Sequence, residues 1–301
     1  MTSSSRTSSD GLMPIALVKL FRSLARLWRG FRRRLLAISA VRDISDEAFH
    51  SDLTAEEQYG HEMLVADPIR MNAYRAGIRR NIKPGDVVVD LGTGTGILAM
   101  LAAQQRAKVV HALELSDMIT LAERLAVANQ FTNIVFHNVS SRRFALAEPV
   151  DVIVHEQIGQ ALFDEGVIEK TLDLKKRLLK KSGQIVPGRF ELFLEPACVK
   201  DDYRVPYLWQ TKFPGIDFST VRDLPGNDTD RHGYDWQGGD SARSSIDYFL
   251  GDASPILAVD LNKLDEATDV PTTASASRVV RRSGRMDGFC LYFRVVFDNE
   301  G

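Results

Sequence analysis

The chain has 301 residues, 44% of them hydrophobic and 26% charged, which is enough to bury one large core or two modest ones. Its two cysteines, Cys198 and Cys290, exclude a disulfide-stapled fold and a zinc site of the CxxC type. No uncharged run approaches the roughly 18–20 residues of a membrane-spanning helix.

Basic charge is concentrated in an N-terminal arm. The formal net charge is -2, but residues 1–42 contain nine Lys and Arg side chains and one acid, Asp10, so the rest of the chain is acidic. An acidic body argues against nucleic-acid binding. Residues 1–12 are rich in Ser and Thr, which predicts a disordered tail. From Leu17 to Ile38, apolar and basic residues each recur at steps of three and four, which predicts an amphipathic basic helix within residues 1–45. Such a helix can bind anionic lipid at a membrane surface, act as a targeting peptide, or pack on the acidic body or a partner subunit.

Residues 46–187 show alternating strand and helix patterns. This alternation predicts parallel βαβ units in a Rossmann-like α/β sheet. The predicted strands span Val87–Leu91, Lys108–Leu113, Ile134–His137 and Val150–His155. The predicted helices span Ile97–Ala107, Ser116–Asn129 and Thr171–Lys180, and Gly183 is expected to stop the last of them.

After Pro187 the pattern changes to short β-like runs. These runs span Phe190–Leu194, Ile256–Leu261, Ser277–Val280 and Phe289–Phe297. Loops rich in Gly, Asp and Ser separate them, so residues 188–301 are predicted to form a second, antiparallel β domain. Within it, residues 203–248 form a loop-rich, aromatic stretch.

The sharpest motif is VVVDLGTGTG at residues 87–96, where a strand runs into a glycine-rich turn that opens a helix. The turn holds Gly92, Gly94 and Gly96, which allow the backbone to approach a ligand closely. Dinucleotide-binding folds use the same geometry, but here the spacing is GxGxG rather than GxGxxG. Asp90 can pair with an amino-acid ammonium group, and Glu114, at the end of the next strand, can accept hydrogen bonds from ribose hydroxyls. The motif therefore favours S-adenosylmethionine over a nicotinamide cofactor.

Two acids nine residues apart, Glu156 and Glu165, flank a glycine-containing loop in the segment HEQIGQALFDE. Because this loop follows a strand of the parallel sheet, it should face the same crevice as the glycine turn. Two carboxylates in one pocket need a cation, and the planar guanidinium of arginine matches them best. We therefore predict Glu156 and Glu165 as the catalytic pair. The alternative is that Glu156 caps a helix and Glu165 lies on the surface.

Over residues 55–297 the sequence resembles the protein arginine N-methyltransferases, a family of class I S-adenosylmethionine-dependent methyltransferases. DLGTGTGIL resembles their cofactor motif, and HEQIGQALFDE resembles their double-Glu loop. HEMLVADPIRMNAYRAGI resembles the helical lead-in, with Asp67, Arg70 and Tyr74 at the family's spacing. VPGRFELFLEPA and ILAVDLNKL resemble parts of the family's β-barrel domain.

The resemblance implies a Rossmann-like cofactor domain over residues 46–187, a β-barrel-like domain over residues 188–301, and a dimerisation arm near residues 203–248. It implies S-adenosylmethionine as cofactor, bound by Arg70, Asp90, Gly92, Gly94, Gly96, Glu114, Val139 and Ser140. It also implies substrate contacts from His61, Met63 and Gln157. The expected function is methylation of an arginine-containing protein or a small guanidino compound. The protein is expected to be a cytoplasmic homodimer that contacts membranes peripherally through the basic helix. Dispersed histidines lack metal-ligand spacing, so no metal is expected.

The chain departs from the family's pattern at several positions. Gln157 replaces a Trp, and Ser140 replaces an acid near the adenine position. The family's Thr-His-Trp motif has no match before Gly301, so either the sequence is a fragment or this branch works without that motif. Two alternatives therefore stay open: a catalytically weak, methyltransferase-like dimerisation partner, and a methyltransferase for a small molecule without a guanidino group.

Overall fold

The computed structural model describes residues 55–159, 162–163, 165–203, 208–222 and 245–297. All of them belong to one compact unit, Leu53–Gly301. The basic helix predicted within residues 1–45, and residues 204–207 and 223–244 of the predicted dimerisation arm, lie outside the described residues.

A five-stranded parallel sheet forms the first half of this unit. Its elements are α1 (Ala55–Ala66), α2 (Pro68–Asn81), β1 (Val87–Leu91), α3 (Ile97–Gln104), β2 (Val109–Glu114), α4 (Met118–Ala128), β3 (Ile134–Asn138), β4 (Val150–His155), α5 (Val167–Leu178) and β5 (Leu179–Val186). The strand order is β3-β2-β1-β4-β5. Because the order reverses between β1 and β4, the crevice beyond their carboxyl ends is where such a sheet binds ligands.

The second half is built on antiparallel strands. These are β6 (Arg189–Val199), the short pair β7 (Lys212–Phe213) and β8 (Ile216–Asp217), β9 (Ile246–Phe249), β10 (Pro255–Asp260) and β11 (Gly288–Val296). The long strand β6 lies at the centre, with β11 on one side and with β10 and β9 paired along it on the other. Parallel βαβ units followed by antiparallel strands confirm the predicted fold class.

Apolar layers cover both faces of the parallel sheet. On one face, Tyr74, Ile78 and Leu98 of α2 and α3 pack on the sheet. On the other face, α5 shares a core with the antiparallel strands, which contribute Phe190 and Val259. The buried apolar area of the two halves is therefore continuous, so the crevice is supported from both sides.

Three expectations for this part of the chain were wrong. Gly183 does not end a helix but lies inside β5, where a Cβ would come within 2.8 Å of the Asp151 carbonyl oxygen, so glycine allows close approach to β4. The helix predicted over Thr171–Lys180 starts earlier, at Val167, after Gly166 in the left-handed region. Residues 277–280 form no strand; one of them, Arg278, pairs instead with the buried Glu195, with 2.8 Å between Nε and Oε2.

The lysine run at the end of α5 is more than a solvated face. The Lys175 ammonium donates hydrogen bonds to the carbonyl oxygens of Leu261, Asn262 and Leu264, at 3.1, 2.8 and 2.8 Å. The next lysine, Lys176, forms only an exposed ion pair with Glu266 at 2.5 Å. Lys175 thus fastens α5, and through it the loop before α5, to the segment that follows β10.

We expect Lys175→Met to lower the free energy of unfolding by about 2 kcal/mol, because three charge-assisted hydrogen bonds to backbone carbonyls are lost. The matched change Lys176→Met should alter it by less than about 0.5 kcal/mol, since exposed ion pairs contribute little. Urea unfolding followed by tryptophan fluorescence measures both. Equal effects of the two substitutions would contradict the special role of Lys175.

Candidate functional site

The glycine turn after β1 surrounds a buried carboxylate. Gly92, Gly94 and Gly96 have φ angles of 69°, 52° and 80°, which favour glycine. Asp90, the fourth residue of β1, is completely buried, and its Oδ2 accepts a hydrogen bond from Thr93 Oγ1 at 2.5 Å. Its Oδ1 is buried without a hydrogen-bond partner in the part of the chain that the structure describes. Burial raises the pKa of Asp90 to about 7, although the Thr93 bond opposes this shift.

Glu114, at the end of β2, holds the same turn from the neighbouring strand. Its Oε2 accepts the Gly94 N–H at 2.9 Å. Its Oε1 accepts three donors, the N–H groups of Leu115 and Ser116 and the Ser116 hydroxyl, each at 2.9 Å. A carboxylate offers about four acceptor sites, so two ribose hydroxyls can bind Glu114 only if a chain donor gives way.

Glu156, immediately after β4, pairs with Arg70 of α2. The Arg70 Nη1 to Glu156 Oε1 distance is 3.2 Å. Arg70 reaches this position because Asp67 caps the start of α2, accepting the N–H groups of Ile69 and Arg70 at 2.9 and 3.1 Å, with Pro68 in the first turn. Burial raises the pKa of Glu156, and Arg70 opposes this effect.

Glu165 lies at the other end of the same loop, just before α5, and is exposed. Its negative charge raises the pKa of Glu156 further. The two acids therefore lie close enough to influence each other electrostatically, although Glu156 is half-buried and Glu165 is exposed. Between them, Gly159 and Leu162 pair across the loop, and Leu162 is buried in the core.

The backbone before Glu156 is fixed by two groups that the sequence did not single out for this role. The buried Tyr74 hydroxyl of α2 donates a hydrogen bond to the His155 carbonyl oxygen at 3.2 Å. The His155 ring is itself buried, with Nε2 3.0 Å from the Pro187 carbonyl oxygen, and burial lowers its pKa to about 4. His155 is thus a packing residue.

The remaining candidates lie in three different places. His61 of α1 and Gln157 both lie against the glycine turn: a Cβ on Gly94 would be 2.6 Å from His61 Cε1, and one on Gly92 would be 2.7 Å from Gln157 Nε2. Met63, in contrast, is largely exposed on α1. Val139 and Ser140 follow β3 beside Glu114, with the Val139 N–H donating to the Glu114 carbonyl oxygen at 3.2 Å.

Thr93 is the contact that sequence reasoning missed. A hydroxyl three residues after a strand-end aspartate can fold back onto that carboxylate across a tight turn, so the spacing Asp-x-x-Thr was the available signal.

The site suits the amino-acid and ribose ends of S-adenosylmethionine. The orphaned Oδ1 of Asp90 matches an ammonium donor, and the glycine turn presents backbone where any side chain would clash.

In the described ranges, no cluster of three or more His, Cys, Asp or Glu side chains could hold a metal ion. Within the same ranges, every helix is too short or too polar to cross a bilayer.

Comparison with known proteins points to methyl transfer. Residues 82–212 match a family described as a methyltransferase domain. Protein arginine N-methyltransferase 6 of Danio rerio is 31% identical over 269 residues, which cover 83% of this chain and 70% of the relative. Protein arginine N-methyltransferase 1 of Dictyostelium discoideum is 30% identical over 195 residues, or 62% of this chain and 56% of the relative. The Trypanosoma brucei PRMT1 enzyme-prozyme heterotetrameric complex with AdoHcy matches with a TM-score of 0.52 at 25% identity, covering 70% of this chain and 64% of that one.

We expect Asp90→Asn to flatten the pH dependence of stability in the ligand-free protein. With a folded-state pKa raised from 3.8 to about 7, Asp90 keeps a proton that the unfolded chain releases above about pH 4. The contribution of Asp90 to the free energy of unfolding is therefore fully present below about pH 4 and is lost as the pH rises to about 7. The loss is on the order of a few kcal/mol. Urea unfolding at several pH values measures the slope.

Asp151→Asn is the control, because the pKa of Asp151 is shifted in the opposite direction to that of Asp90. Burial raises the pKa of Asp151, but hydrogen bonds from Lys180 and the Val87 N–H outweigh burial and lower it overall. Its contribution should be present at neutral pH and lost as the pH falls below its ordinary range. An unchanged slope in Asp90→Asn would contradict the buried-carboxylate assignment.

Proposed function

The chain belongs to the protein arginine N-methyltransferase family, and on this premise we propose that it methylates a guanidino nitrogen held between Glu156 and Glu165. The reaction class, methyl transfer from S-adenosylmethionine, follows from that membership. The clamp and its substrate are our proposal. The observation that carries it is the half-buried Glu156, which pairs with Arg70 beside the glycine turn and begins the loop that carries Glu165 at its other end.

The cofactor would be held by residues of the parallel sheet. Asp90 would pair with its ammonium group, the backbone of the glycine turn would lie along it, Glu114 would bind the ribose, and Arg70 its carboxylate. Val139 and Ser140, which follow β3 beside Glu114, would contact the adenine, and His61 lies against the turn. Bound there, S-adenosylmethionine supplies a methyl group on a sulfonium, which is a good leaving group.

The protein must make a guanidinium reactive, because this group is a weak nucleophile whose positive charge is delocalised and whose pKa exceeds about 12. Glu156 and Glu165, by accepting N–H bonds, hold the positive charge away from one terminal nitrogen. That nitrogen forms the new bond to carbon, the carbon–sulfur bond breaks, and the nitrogen then sheds a proton. The raised pKa of Glu156 makes it a better proton acceptor than an exposed carboxylate.

We expect Glu156→Gln to reduce kcat/KM for an arginine-containing peptide by about 100- to 1000-fold, because a neutral amide cannot localise the charge. The affinity for S-adenosylhomocysteine should change by less than about threefold. Labelled-cofactor transfer and calorimetry measure the two quantities, and free arginine as a second substrate separates protein from small-molecule methylation.

Glu169→Gln is the matched control, since Glu169 is an exposed acid in the first turn of α5, close to the same loop. It should leave turnover unchanged. Undiminished turnover in Glu156→Gln would remove Glu156 from the mechanism, whereas a wild-type protein that binds no cofactor would favour a non-catalytic dimerisation partner.

We also propose that the protein is a cytoplasmic homodimer that contacts membranes peripherally. Dimerisation is supported by the exposed apolar side chains Phe213 and Ile216 on the β7–β8 hairpin and by the heterotetrameric assembly named for the trypanosomal relative. Free thiols at Cys198 and Cys290 are consistent with a reducing compartment. The basic arm within residues 1–45 supports contact with anionic lipid.

Two variants should separate these properties. Deletion of residues 1–45 should abolish co-sedimentation with phosphatidylserine vesicles while leaving the dimer and cofactor affinity intact. The double change Phe213→Ser and Ile216→Ser should shift the protein to a monomer in analytical ultracentrifugation while leaving vesicle binding of the full chain intact. Vesicle binding that survives the deletion would exclude the basic arm as the anchor.

A further inference from the structure

The turn that follows β3, residues 139–144, is attached to the loop that carries Glu114; we call it the β3 turn. The Val139 N–H donates to the Glu114 carbonyl oxygen at 3.2 Å, and the Asn138 side-chain amide donates to the same oxygen at 3.2 Å. The pairing of β2 with β3 ends at Glu114 and Asn138, so the β3 turn begins at the carboxyl edge of the sheet, where ligands bind. The conformation of this turn therefore decides what a ligand meets beside Glu114.

The inner side of the β3 turn is closed by its own residues. The Ser140 carbonyl oxygen accepts the N–H groups of Arg143 and Phe144 at 2.9 and 3.1 Å. The Phe144 ring is buried, and its centroid lies 4.8 Å from that of His137 on the sheet. These contacts fix the side of the turn that faces the core, but they do not involve the carbonyl groups of Ser141 and Phe144.

Arg177 of α5 holds those two carbonyl groups. Its Nη1 donates to the Phe144 carbonyl oxygen at 2.6 Å, and its Nη2 donates to the Ser141 carbonyl oxygen at 2.8 Å. Asp173, one turn earlier on α5, orients the guanidinium by accepting from Nε at 3.1 Å and from Nη2 at 2.5 Å. The planar fork of arginine has enough donors, in a fixed geometry, to reach all three partners at once.

The attachment of α5 to the fold does not depend on Arg177 alone. Lys175 donates to three carbonyl oxygens after β10, and it projects from the opposite side of α5 because the two residues are two positions apart in a helix. The pair of Arg177 with Asp173 is partly exposed, and such ion pairs contribute little to stability. What Arg177 adds is a fixed shape of the β3 turn.

We propose that Arg177 is a positioning residue for the cofactor, because it fixes the β3 turn in the shape in which Val139 and Ser140 meet the adenine. This inference rests on the proposed function, which places the adenine beside these two residues. A turn that is ordered before the ligand arrives loses little further conformational freedom on binding, so the ligand binds more tightly. Arg177 touches only carbonyl groups of the turn, and it acts through the turn rather than on the reacting atoms.

The test replaces Arg177 with methionine and measures the binding of methylthioadenosine, which has the adenine and ribose of the cofactor but lacks its amino-acid end. We expect the Kd of methylthioadenosine and that of S-adenosylhomocysteine to rise by the same factor, on the order of tenfold. The KM of S-adenosylmethionine should rise as well, whereas kcat at saturating cofactor should change by less than about twofold, because the acids at the reacting centre are untouched. Calorimetry and labelled-methyl transfer to an arginine-containing peptide measure these values, at a temperature well below the thermal midpoint of every variant.

Two variants of the same helix are the controls. Lys176→Met removes an equal charge from the next position, where only an exposed ion pair is lost, and should leave both Kd values unchanged. Lys175→Met loosens α5 on the side away from the β3 turn, so it should lower the thermal midpoint without raising the Kd of methylthioadenosine. The second control separates positioning of the turn from a general loss of stability.

Three results would overturn the assignment: an unchanged Kd of methylthioadenosine in Arg177→Met, a rise confined to S-adenosylhomocysteine, or an equal rise in Lys175→Met. A wild-type protein that binds neither compound would overturn the proposed cofactor site together with this inference. Wild-type binding of both compounds with an unaffected Arg177→Met variant would overturn the inference alone.

Discussion

The site depends on two carboxylates at the carboxyl edge of a parallel sheet, one buried and one half-buried. Asp90 lies in β1, next to the turn that follows this strand, and Glu156 follows β4. The strands β1 and β4 are direct neighbours in the sheet. Taking a carboxylate out of water is costly unless hydrogen bonds or a cation compensate. For Glu156 the structure supplies Arg70, whereas for Asp90 it supplies the Thr93 hydroxyl and leaves Oδ1 without a hydrogen-bond partner among the described residues. This difference in partners separates the roles of Glu156 and Asp90, because a carboxylate whose charge the chain compensates incompletely favours a cationic ligand.

One helix carries much of this arrangement. In α2, Asp67 fixes the first turn, Arg70 pairs with Glu156, and Tyr74 anchors the backbone of His155. These residues are spaced at three and four along the sequence, so they lie on one face of the helix. One turn further on, Gly77 leaves room for Phe297, whose ring meets Tyr74 edge-on at 4.9 Å. The end of β11 thereby supports the same face from behind, which links the antiparallel half of the fold to the position of Glu156.

The features that local sequence predicts are those with a short-range cause. The strand Val87–Leu91, the turn that follows it and the strand Val150–His155 have the bounds expected from apolar runs and glycine spacing. Gly183 and Lys175 depend instead on distant partners: the backbone of β4 in one case and three carbonyl oxygens after β10 in the other. No periodicity reports such contacts. The strand Leu179–Val186 was missed for a related reason, because its sequence LKKSGQIV is polar over its first half, which is largely exposed at the sheet edge.

The candidate site shows the same division. The glycine turn and its acids can be located from spacing, but the state of each carboxylate cannot, because it depends on burial and on donors from other elements. Glu114 illustrates this point: it was expected to be open to two ribose hydroxyls, yet the chain itself supplies four donors to it. Three of these donors come from residues that follow directly in the sequence and orient the carboxylate, whereas the Gly94 N–H comes from the turn and is the one in a position to exchange with a ligand. The glycine turn and the ribose site are therefore coupled through a single hydrogen bond, so a ligand that moves the turn also changes how many acceptor positions Glu114 offers.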